Sequence, residues 1–541
     1  MTDSTAAPDG APADAASSVD FIVFSAVNEA AIHLLETIQC KSSPPTLKSD
    51  ENEIGYRLSI QFPCNEVRPE EFRWSIGAGP SPAMMEKRLC RHRQPDILLC
   101  PPGRTPSSAA VRRFIKDMHA IVHFHPQSGV LLLRSISGRP IIYEQGDVDD
   151  EDLILDVMAH QSTCVLRRKQ NYLRFGEYRF ALEFVTADED RDKIIAQLDK
   201  NLFCCYNASQ PSRLLNFIPT DHSETSWNVW LHRKIPNTSI TAGVHILTGQ
   251  PVAVKELQVN PRTREHMLHR LQFASQYSGK SDQGVLGIID TWCGHNTSPP
   301  CHFSEGGSDS ESETFDHCRQ LFYSMPLAKY TFLNMPWAEV QPKTRLLLFY
   351  QTLVGLAELH RQGITHGNIQ PDSLFVLPSI QPSPTLDRSV PKKAVISLCM
   401  KQTTTPNPSV CVAPEIWCQT SVDRAKADIW ALGASWLSAY FQLPSGIKVT
   451  KDSYHNLQKN IDAQTKKRHI KGPFATLLRK MLAWESSDRP GAEELLADVI
   501  WKPVLARARS IEASKKRKRM ERIHQSFTRP RRVRLLSPDH T

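Results

Sequence analysis

The sequence lacks a long uninterrupted apolar segment. Its longest apolar stretch, residues 346–356, is interrupted by Tyr350, Gln351 and Thr352, whereas a helix that spans a bilayer needs about 20 apolar residues. The first residues, MTDSTAAPDGAPADAASS, also lack the basic segment followed by an apolar run that marks a secretory signal. We therefore expect no membrane-spanning segment and a location inside the cell.

Paired cysteine motifs are also lacking. The 13 cysteines include no repeated C-x-x-C pair and one adjacent pair, Cys204 and Cys205, which indicates reduced thiols rather than a disulfide framework. Six residues in the middle of the chain have side chains that bind zinc, but their spacing matches no standard zinc module. They are Cys293, His295, Cys301, His302, His317 and Cys318. We predict no metal site.

The positive charge is confined to one end of the chain. Residues 505–534 hold 12 Lys and Arg against two Glu, a charge of +10, so the rest of the chain carries 8 − 10 = −2. Two basic clusters, residues 515–519 (KKRKR) and 529–534 (RPRRVR), resemble the arms of a nuclear import signal. We predict binding to importin and a nuclear location, with the cytoplasm otherwise, and nonspecific contact with nucleic acid by counterion release.

Length and composition divide the chain into several parts, because 541 residues exceed what one hydrophobic core normally covers. Short alternating segments between turn residues predict a β-sandwich, and a β-rich part followed by a helical part predicts an α+β domain. The predicted parts are a disordered lead (1–19), the sandwich (20–186), a linker with one helix at 190–202 (187–226), the α+β domain (227–504) and a basic tail (505–541).

Periodicity supports the predicted elements. Alternating strand-like segments occur at residues 56–62, 120–124, 130–133 and 178–184. Residues 344–360 instead place apolar side chains at the i, i+3, i+7, i+10 spacing of a buried helical face.

Five motifs of the α+β domain occur in the order found in protein kinases. They are residues 251–257 (PVAVKEL), 364–376 (ITHGNIQPDSLFV), 413–415 (APE), 428–433 (DIWALG) and 488–490 (DRP). They resemble, in turn, the VAIK strand, the catalytic loop, the APE motif, the D-x-W-x-x-G helix and the late arginine of that family. The resemblance implies a bilobal kinase-like domain similar to a checkpoint-type serine/threonine kinase.

The kinase resemblance implies a residue pair that contacts a nucleotide. In the family, the lysine of the VAIK strand pairs with a glutamate of the next helix and contacts the α- and β-phosphates. Lys255 stands at the lysine position and Glu265 is the candidate partner, only ten positions further along the chain, which is closer than in the family.

The same resemblance implies a structural set of residues. His366 is in register with the histidine of the catalytic loop, and Asp428 is expected to brace the backbone of that loop. Glu415 and Arg489 are expected to form the buried ion pair that anchors the activation segment.

Chemical groups of the family are missing at four aligned positions. Asn368 replaces the carboxylate that accepts the proton of the substrate hydroxyl, and Gln370 replaces the lysine on the transferred phosphate. Ser373 and Ser397 replace the asparagine and aspartate that hold magnesium. We expect none of these four residues to be catalytically competent.

The phosphate-covering loop departs from the family as well. Side chains stand where the family has glycines, and they would block close approach of the backbone to a phosphate. These residues are Arg233, Ile235 and Thr238.

Three functions follow from this comparison with kinases. The sequence favours a catalytically impaired, pseudokinase-like adaptor with no certain cofactor. The alternatives are an active or weakly active serine/threonine kinase that uses ATP, with Asp372 or Glu358 as relocated ligands, and a switch that binds ATP without magnesium or turnover.

Five segments of the predicted sandwich resemble forkhead-associated (FHA) domains, which bind phosphothreonine peptides through loops at one end. The segments are residues 74–78 (WSIGA), 96–99 (DILL), 118–122 (MHAIV), 133–138 (LRSISG) and 173–180 (LRFGEYRF).

The phosphate site that the FHA resemblance implies is altered. Ala78 replaces the arginine of the family, Lys116 replaces a serine and Ser137 replaces the asparagine that holds the peptide backbone. Arg104 is a candidate cation for the phosphate, together with Arg112, Arg113 and Arg139. We predict protein partners, and the sequence leaves open whether they bind as phosphopeptides or independently of phosphorylation.

Overall fold

The computed structural model describes most of the chain in separate stretches. They are residues 17–39, 47–50, 53–62, 73–81, 94–101, 103–125, 127–145, 152–159, 161–185, 215, 218–219, 224–236, 238–259, 264–280, 283–295, 320–377, 393–398, 409–418, 422–444 and 446–506. Residues 1–16 of the predicted lead, the predicted linker helix, four of the six possible zinc ligands and nearly all of the predicted basic tail lie outside these stretches. Residues 17–19, which were predicted to be disordered, instead belong to a β-strand, because their backbone pairs with residues 60–62.

The chain forms two compact units. The first unit comprises Met1–Leu271, Ile288–Lys329 and Pro378–Val390, and the second comprises Gln272–Gly287, Tyr330–Leu377 and Pro391–Thr541. The first strands of the predicted α+β domain therefore cluster with the predicted sandwich, and the helical part forms a unit of its own.

The first unit begins with two antiparallel-rich sheets. The seven-stranded sheet has the order β2-β3-β1-β12-β11-β8-β9, and the five-stranded sheet has the order β10-β7-β6-β4-β5. The strands are β1 Ser17–Ala26, β2 Leu47–Asp50, β3 Glu53–Phe62, β4 Arg73–Gly77, β5 Ile97–Leu98, β6 Ala120–Phe124, β7 Leu131–Ser135, β8 Ile141–Glu144, β9 Leu153–Leu155, β10 Thr163–Val165, β11 Gln170–Phe175 and β12 Tyr178–Phe184, and the helices are α1 Glu29–Gln39 and α2 Pro106–Phe114.

Aromatic side chains join the two sheets. Phe21 of β1 lies 5.7 Å from Phe124 of β6 between ring centroids, and Phe124 also contacts Trp74 of β4 at 6.2 Å. All three are buried or nearly so, and large apolar side chains that face each other between two sheets form a shared core. The strands predicted at residues 56–62, 120–124 and 178–184 lie within β3, β6 and β12.

A six-stranded antiparallel sheet completes the described part of the first unit. Its order is β13-β14-β15-β16-β18-β17, and Val229, Val252, Val254 and Trp292 form a buried cluster on it. The strands are β13 Thr225–Ser226, β14 Val229–Lys234, β15 Ile240–His245, β16 Pro251–Gln258, β17 Asp290–Cys293 and β18 Gln320–Pro326, and helix α3 Arg264–Ser275 follows β16.

The second unit is mainly helical, as the sequence predicted for the end of the α+β domain. Its helices are α4 Pro342–Arg361, α5 Pro414–Cys418, α6 Arg424–Leu437, α7 Lys451–Lys466, α8 Gly472–Met481 and α9 Ala492–Leu496, and its short sheet contains β19 Tyr330–Thr331, β20 Leu374–Leu377 and β21 Lys393–Ile396. None of the helices in the described stretches is long and apolar enough to cross a membrane.

The core of the second unit is aromatic. Phe349 of α4 stacks on Trp436 of α6 at 5.0 Å and on Phe474 of α8 at 5.5 Å. The indole N–H of Trp436 donates to Thr352 Oγ1 at 3.0 Å, so its polar atom is satisfied within the core. Helix α6 is buried at every position from Asp428 to Leu437, which indicates a helix enclosed by its neighbours on all sides.

Three buried histidines should make the stability of the first unit sensitive to acid. Burial lowers the pKa of His119, His125 and His232 to about 4, while a histidine of the unfolded chain titrates near pH 6.5. Between about pH 6.5 and pH 4 the unfolded chain therefore binds more protons than the folded one, so stability falls as the pH decreases through this window.

We expect urea unfolding of the first unit to require less denaturant at pH 5 than at pH 7. The change of the unfolding free energy with pH should correspond to an uptake of more than one proton on unfolding. Unfolding of a His119→Gln variant should take up fewer protons than unfolding of the unchanged chain. A first unit that takes up no protons on unfolding across this window would contradict the prediction.

Candidate functional site

The segment that aligns with the kinase catalytic loop is held by one buried carboxylate. The backbone N–H of His366 donates to Asp428 Oδ2 at 2.7 Å, and that of Gly367 donates to Asp428 Oδ1 at 2.8 Å. His360 Nε2 lies 3.2 Å from Asp428 Oδ2. Asp428 is only 2 % exposed, so helix α6 fixes the backbone of the loop from the interior of the unit.

The loop has a backbone conformation that favours glycine. Gly367, which replaces the arginine of the kinase motif, has φ +77°, a region that glycine occupies without steric cost. The next residue, Asn368, donates its backbone N–H to His366 Nδ1 at 3.2 Å, and His366 Nε2 lies 2.6 Å from the carbonyl oxygen of Ser397. His366 thus joins the loop to the residue after β21.

The four positions without catalytic groups are joined by hydrogen bonds. Gln370 Nε2 donates to Asn368 Oδ1 at 3.0 Å. Ser373 Oγ donates to the carbonyl oxygen of Gln370 at 2.7 Å and accepts from its N–H at 3.0 Å. The N–H of Ser397 donates to the carbonyl oxygen of Ser373 at 3.0 Å. We define these four residues, Asn368, Gln370, Ser373 and Ser397, as the polar network.

The polar network is uncharged. An amide such as that of Asn368 does not accept a proton at neutral pH, and Mg²⁺ is bound in proteins mainly through carboxylates together with substrate phosphates. Within the described stretches, no group of three or more Asp, Glu, His and Cys side chains is arranged to hold a metal ion. The hydrogen bonds of the network hold the loop backbone in one conformation. The network contains no general base and no anionic metal ligand.

Neither carboxylate proposed as a relocated ligand belongs to the polar network. Asp372 is exposed on the turn before β20. Glu358 accepts hydrogen bonds from Tyr277 Oη at 2.7 Å and from two nitrogens of Arg361. Partial burial raises the pKa of the Glu358 carboxyl, but the hydrogen bonds from Arg361, Tyr277 and Gln362 outweigh burial and hold the pKa below its ordinary value. Glu358 therefore acts as a structural anion.

Glu415 and Arg489 form a two-pronged ion pair. Arg489 Nη1 donates to Glu415 Oε1 at 2.6 Å, and Nη2 donates to Oε2 at 2.9 Å. The same guanidinium donates to the carbonyl oxygens of Ala483 and Trp484 and lies over the ring of Trp430 at 4.9 Å. The buried guanidinium thus has partners in the protein for its charge and its N–H groups. The ion pair joins helix α5, which carries Glu415, to the segment that carries Arg489.

Lys255 and Glu265, which the kinase resemblance implies as a pair, lie on consecutive elements of the first unit. Lys255 lies half-buried on β16, opposite Ile240 and Tyr323 in the sheet. Glu265 is exposed on the first turn of α3. The ten-residue spacing places Glu265 at the very start of the helix, and α3 carries no other carboxylate.

The predicted phosphate-covering loop is a closed hairpin tip between β14 and β15. Thr238 Oγ1 donates to the carbonyl oxygen of Ile235 at 2.9 Å and accepts from the N–H of Ile240 at 3.2 Å. Arg233 lies in β14 itself. The tip is thus stabilised by a side chain at a position where the kinase family has glycine.

Three loops meet at one end of the two packed sheets. The N–H of Ala78 donates to the carbonyl oxygen of Lys116 at 2.9 Å, and the N–H of Ile136 donates to that of His119 at 2.9 Å. Gly77 lies against the same loop, because a Cβ there would stand 2.2 Å from the carbonyl oxygen of Asp117. The structure therefore brings Lys116, which is exposed, next to the loop at Ala78.

Ser137 and Arg104 differ in their exposure to solvent. Ser137 is 8 % exposed, and its Oγ lies 3.3 Å from the N–H of Arg139, within its own loop. Arg104 is exposed beside a pocket of about 410 Å³ at the start of α2. The N–H groups of that helix start are partly occupied, because Thr105 and Ser108 cap each other reciprocally.

Arg112, one of the candidate cations for a phosphate, already binds groups of the protein. Its guanidinium donates to Asp117 Oδ1 at 2.8 Å and to the carbonyl oxygens of Ala78, Gly79 and Pro80 at 2.8–3.2 Å. These bonds hold the loop after β4 closed. The sequence offered no signal for this role, because the carbonyl groups lie more than 30 positions away along the chain.

Comparisons with known proteins add little. No protein-family model matches the chain, and no curated protein matches it in sequence. One of the solved structures to which it is similar is described as "Crystal structure of Rad53 kinase domain and SCD2", with 16% sequence identity and a TM-score of 0.34 over 50% of this chain and 86% of that chain. A superposition of that quality does not establish a shared fold.

Proposed function

We propose that this chain is a kinase-like adaptor that has lost phosphoryl transfer and acts by binding other proteins in a nuclear signalling pathway. One observation carries the proposal: the polar network occupies the aligned base and metal positions with uncharged side chains that hydrogen-bond to one another. Loss of a positioned general base alone costs about 10²–10⁴ in rate, and loss of anionic metal ligands adds to that cost.

The contrast between structural and chemical residues supports an adaptor. Asp428 holds the loop backbone, and Arg489 pairs with Glu415 in a buried site. These contacts stabilise a kinase-like helical unit, and none of them involves a group that would bind a nucleotide. A chain in which the structural contacts are present and the catalytic groups are replaced is suited to present a surface to partners.

The recognition part of the proposal places protein partners at the FHA-like sandwich. Lys116 is the exposed cation beside the Ala78 loop, Arg104 lies beside the neighbouring pocket, and Ser137 lies on the adjoining loop. Phosphothreonine peptides are one class of partner, and binding independent of phosphate is the alternative. The predicted tail supplies importin binding and nonspecific contact with nucleic acid.

A radiolabelled-ATP assay tests the loss of catalysis. The intact chain and Lys255→Met are incubated with labelled ATP, magnesium or manganese, and a general protein substrate. We expect both proteins to give the incorporation of a blank without enzyme. Incorporation that depends on Lys255 would identify an active kinase and overturn the proposal, and an active serine/threonine kinase serves as the positive control.

Paired peptides test the recognition part. Immobilised threonine peptides and their phosphorylated counterparts are offered to the intact chain and to Lys116→Ala. Greater recovery on the phosphorylated peptide, reduced in the variant, supports phosphate-directed binding, and equal recovery on both peptides excludes it.

A further inference from the structure

The turn between β15 and β16 lies against the FHA-like sandwich. The N–H of Val165, at the end of β10, donates to the carbonyl oxygen of Ile246 at 2.7 Å. Ser128 Oγ donates to the carbonyl oxygen of Gly249 at 2.6 Å, in a buried position. We define residues 246–250 as the docking turn. It receives hydrogen bonds from two separate segments of the sandwich.

The contact is closely packed as well as hydrogen-bonded. Gly249 has φ +75°, and a Cβ at this residue would stand 2.7 Å from Leu132 Cδ2 and 3.2 Å from the His125 ring. Leu132 is 3 % exposed and Ser128 is fully buried. The backbone of the docking turn thus takes the place that a side chain would need, and no residue other than glycine fits there without displacing the sandwich.

The docking turn is also fixed to its own sheet. The N–H of Ile246 donates to the carbonyl oxygen of Asn228 at 2.8 Å, and the N–H of Gly249 donates to that of His245 at 2.8 Å. His245 Nε2 lies 3.1 Å from Asp290 Oδ2, with the histidine side chain 9 % exposed. The turn is therefore not a loose loop, and a displacement of the sandwich against it acts on β15 and β16 directly.

We propose that the sandwich stabilises the six-stranded sheet through the docking turn. The sandwich and the six-stranded sheet then unfold locally as one cooperative unit. Strand β16 starts at Pro251, immediately after the turn, and carries Lys255 four residues later. A ligand that stabilises the sandwich therefore stabilises the Lys255 strand as well. This inference concerns the coupling between the sandwich and the six-stranded sheet. It holds whether or not the chain transfers phosphate.

Hydrogen–deuterium exchange of the full chain tests the coupling. The first variant is Gly249→Val, and the matched control is Gly446→Val, since Gly446 also has positive φ (+72°) but lies in the second unit and has no heavy atom within 4 Å of a Cβ. In Gly249→Val we expect amide exchange in β6, β7 and β10 and in β15 and β16 to accelerate together, by about tenfold or more, while α4 and α6 keep their rates.

The control and a milder variant keep the test decisive. Gly446→Val, which strains only the second unit, should leave exchange in the sandwich and in β15 and β16 unchanged. Ser128→Ala, which removes one hydrogen bond without adding volume, should accelerate the same two sets of strands by a smaller factor and serves if Gly249→Val does not fold. Acceleration confined to the sandwich or to the six-stranded sheet in these variants would overturn the proposal.

Discussion

Replacement of Arg489 by alanine is expected to lower the free energy of unfolding of the second unit by about 3–5 kcal/mol. The variant leaves the Glu415 carboxylate without the guanidinium that pairs with it, and it leaves the carbonyl oxygens of Ala483 and Trp484 without their donor. It also opens space beside Trp430, over which the guanidinium lies. The measurement is the exchange of the most protected amides of α4, α6 and α8, which reports the opening of the whole unit.

Arg479→Ala is the matched control for this variant. Arg479 pairs with Asp462, but the two side chains are 42% and 52% exposed, and exposed ion pairs contribute about 0–1 kcal/mol. Equal losses in Arg489→Ala and Arg479→Ala would show that the buried pair does not anchor the unit.

Asp428→Ala is expected to lower the stability of the second unit by about 2–4 kcal/mol, since a buried N–H left without an acceptor costs about 1–3 kcal/mol and a partly buried one costs less. The two N–H groups are those of His366 and Gly367. Because the loop loses its brace, exchange at residues 366–370 should accelerate more than exchange in α8. The measurement is amide exchange followed by region.

Asp423→Ala provides the comparison for Asp428→Ala. Asp423 also accepts from two backbone N–H groups, those of Ala425 and Lys426, at the start of the same helix, but these bonds are exposed and such a cap is worth about 1 kcal/mol. If removing the exposed cap destabilised the unit as much as removing the buried brace, burial would not explain the role of Asp428.

The sequence was informative where a contact depends on a motif or a local period. The apolar spacing of residues 344–360 led to α4, which runs from Pro342 to Arg361. The kinase motifs led to the Arg489–Glu415 pair and to the contacts of Asp428 with the catalytic-loop backbone, and both are present. In each case the residue types at the motif positions limit the partners that can satisfy them.

Contacts between distant segments could not be read from the sequence. Ser128 and Gly249 are 121 positions apart, and nothing in the local pattern of either segment marks the other as a neighbour. Arg112 was a candidate cation for a phosphate, yet folding brings carbonyl groups from the β4 loop within its reach. The Lys255–Glu265 pairing stays a prediction, because sequence spacing alone does not determine which way the first turn of α3 faces.

The uncharged character of the polar network has a consequence for conditions in the cell. Protein groups alone, namely amides, hydroxyls and backbone carbonyls, hold Asn368, Gln370, Ser373 and Ser397 in place. None of these amide, hydroxyl and carbonyl groups gains or loses a proton between about pH 5 and pH 8, so their hydrogen bonds keep the same donors and acceptors across that range. A partner that recognises these four side chains would therefore find the same polar surface at acidic and at neutral pH.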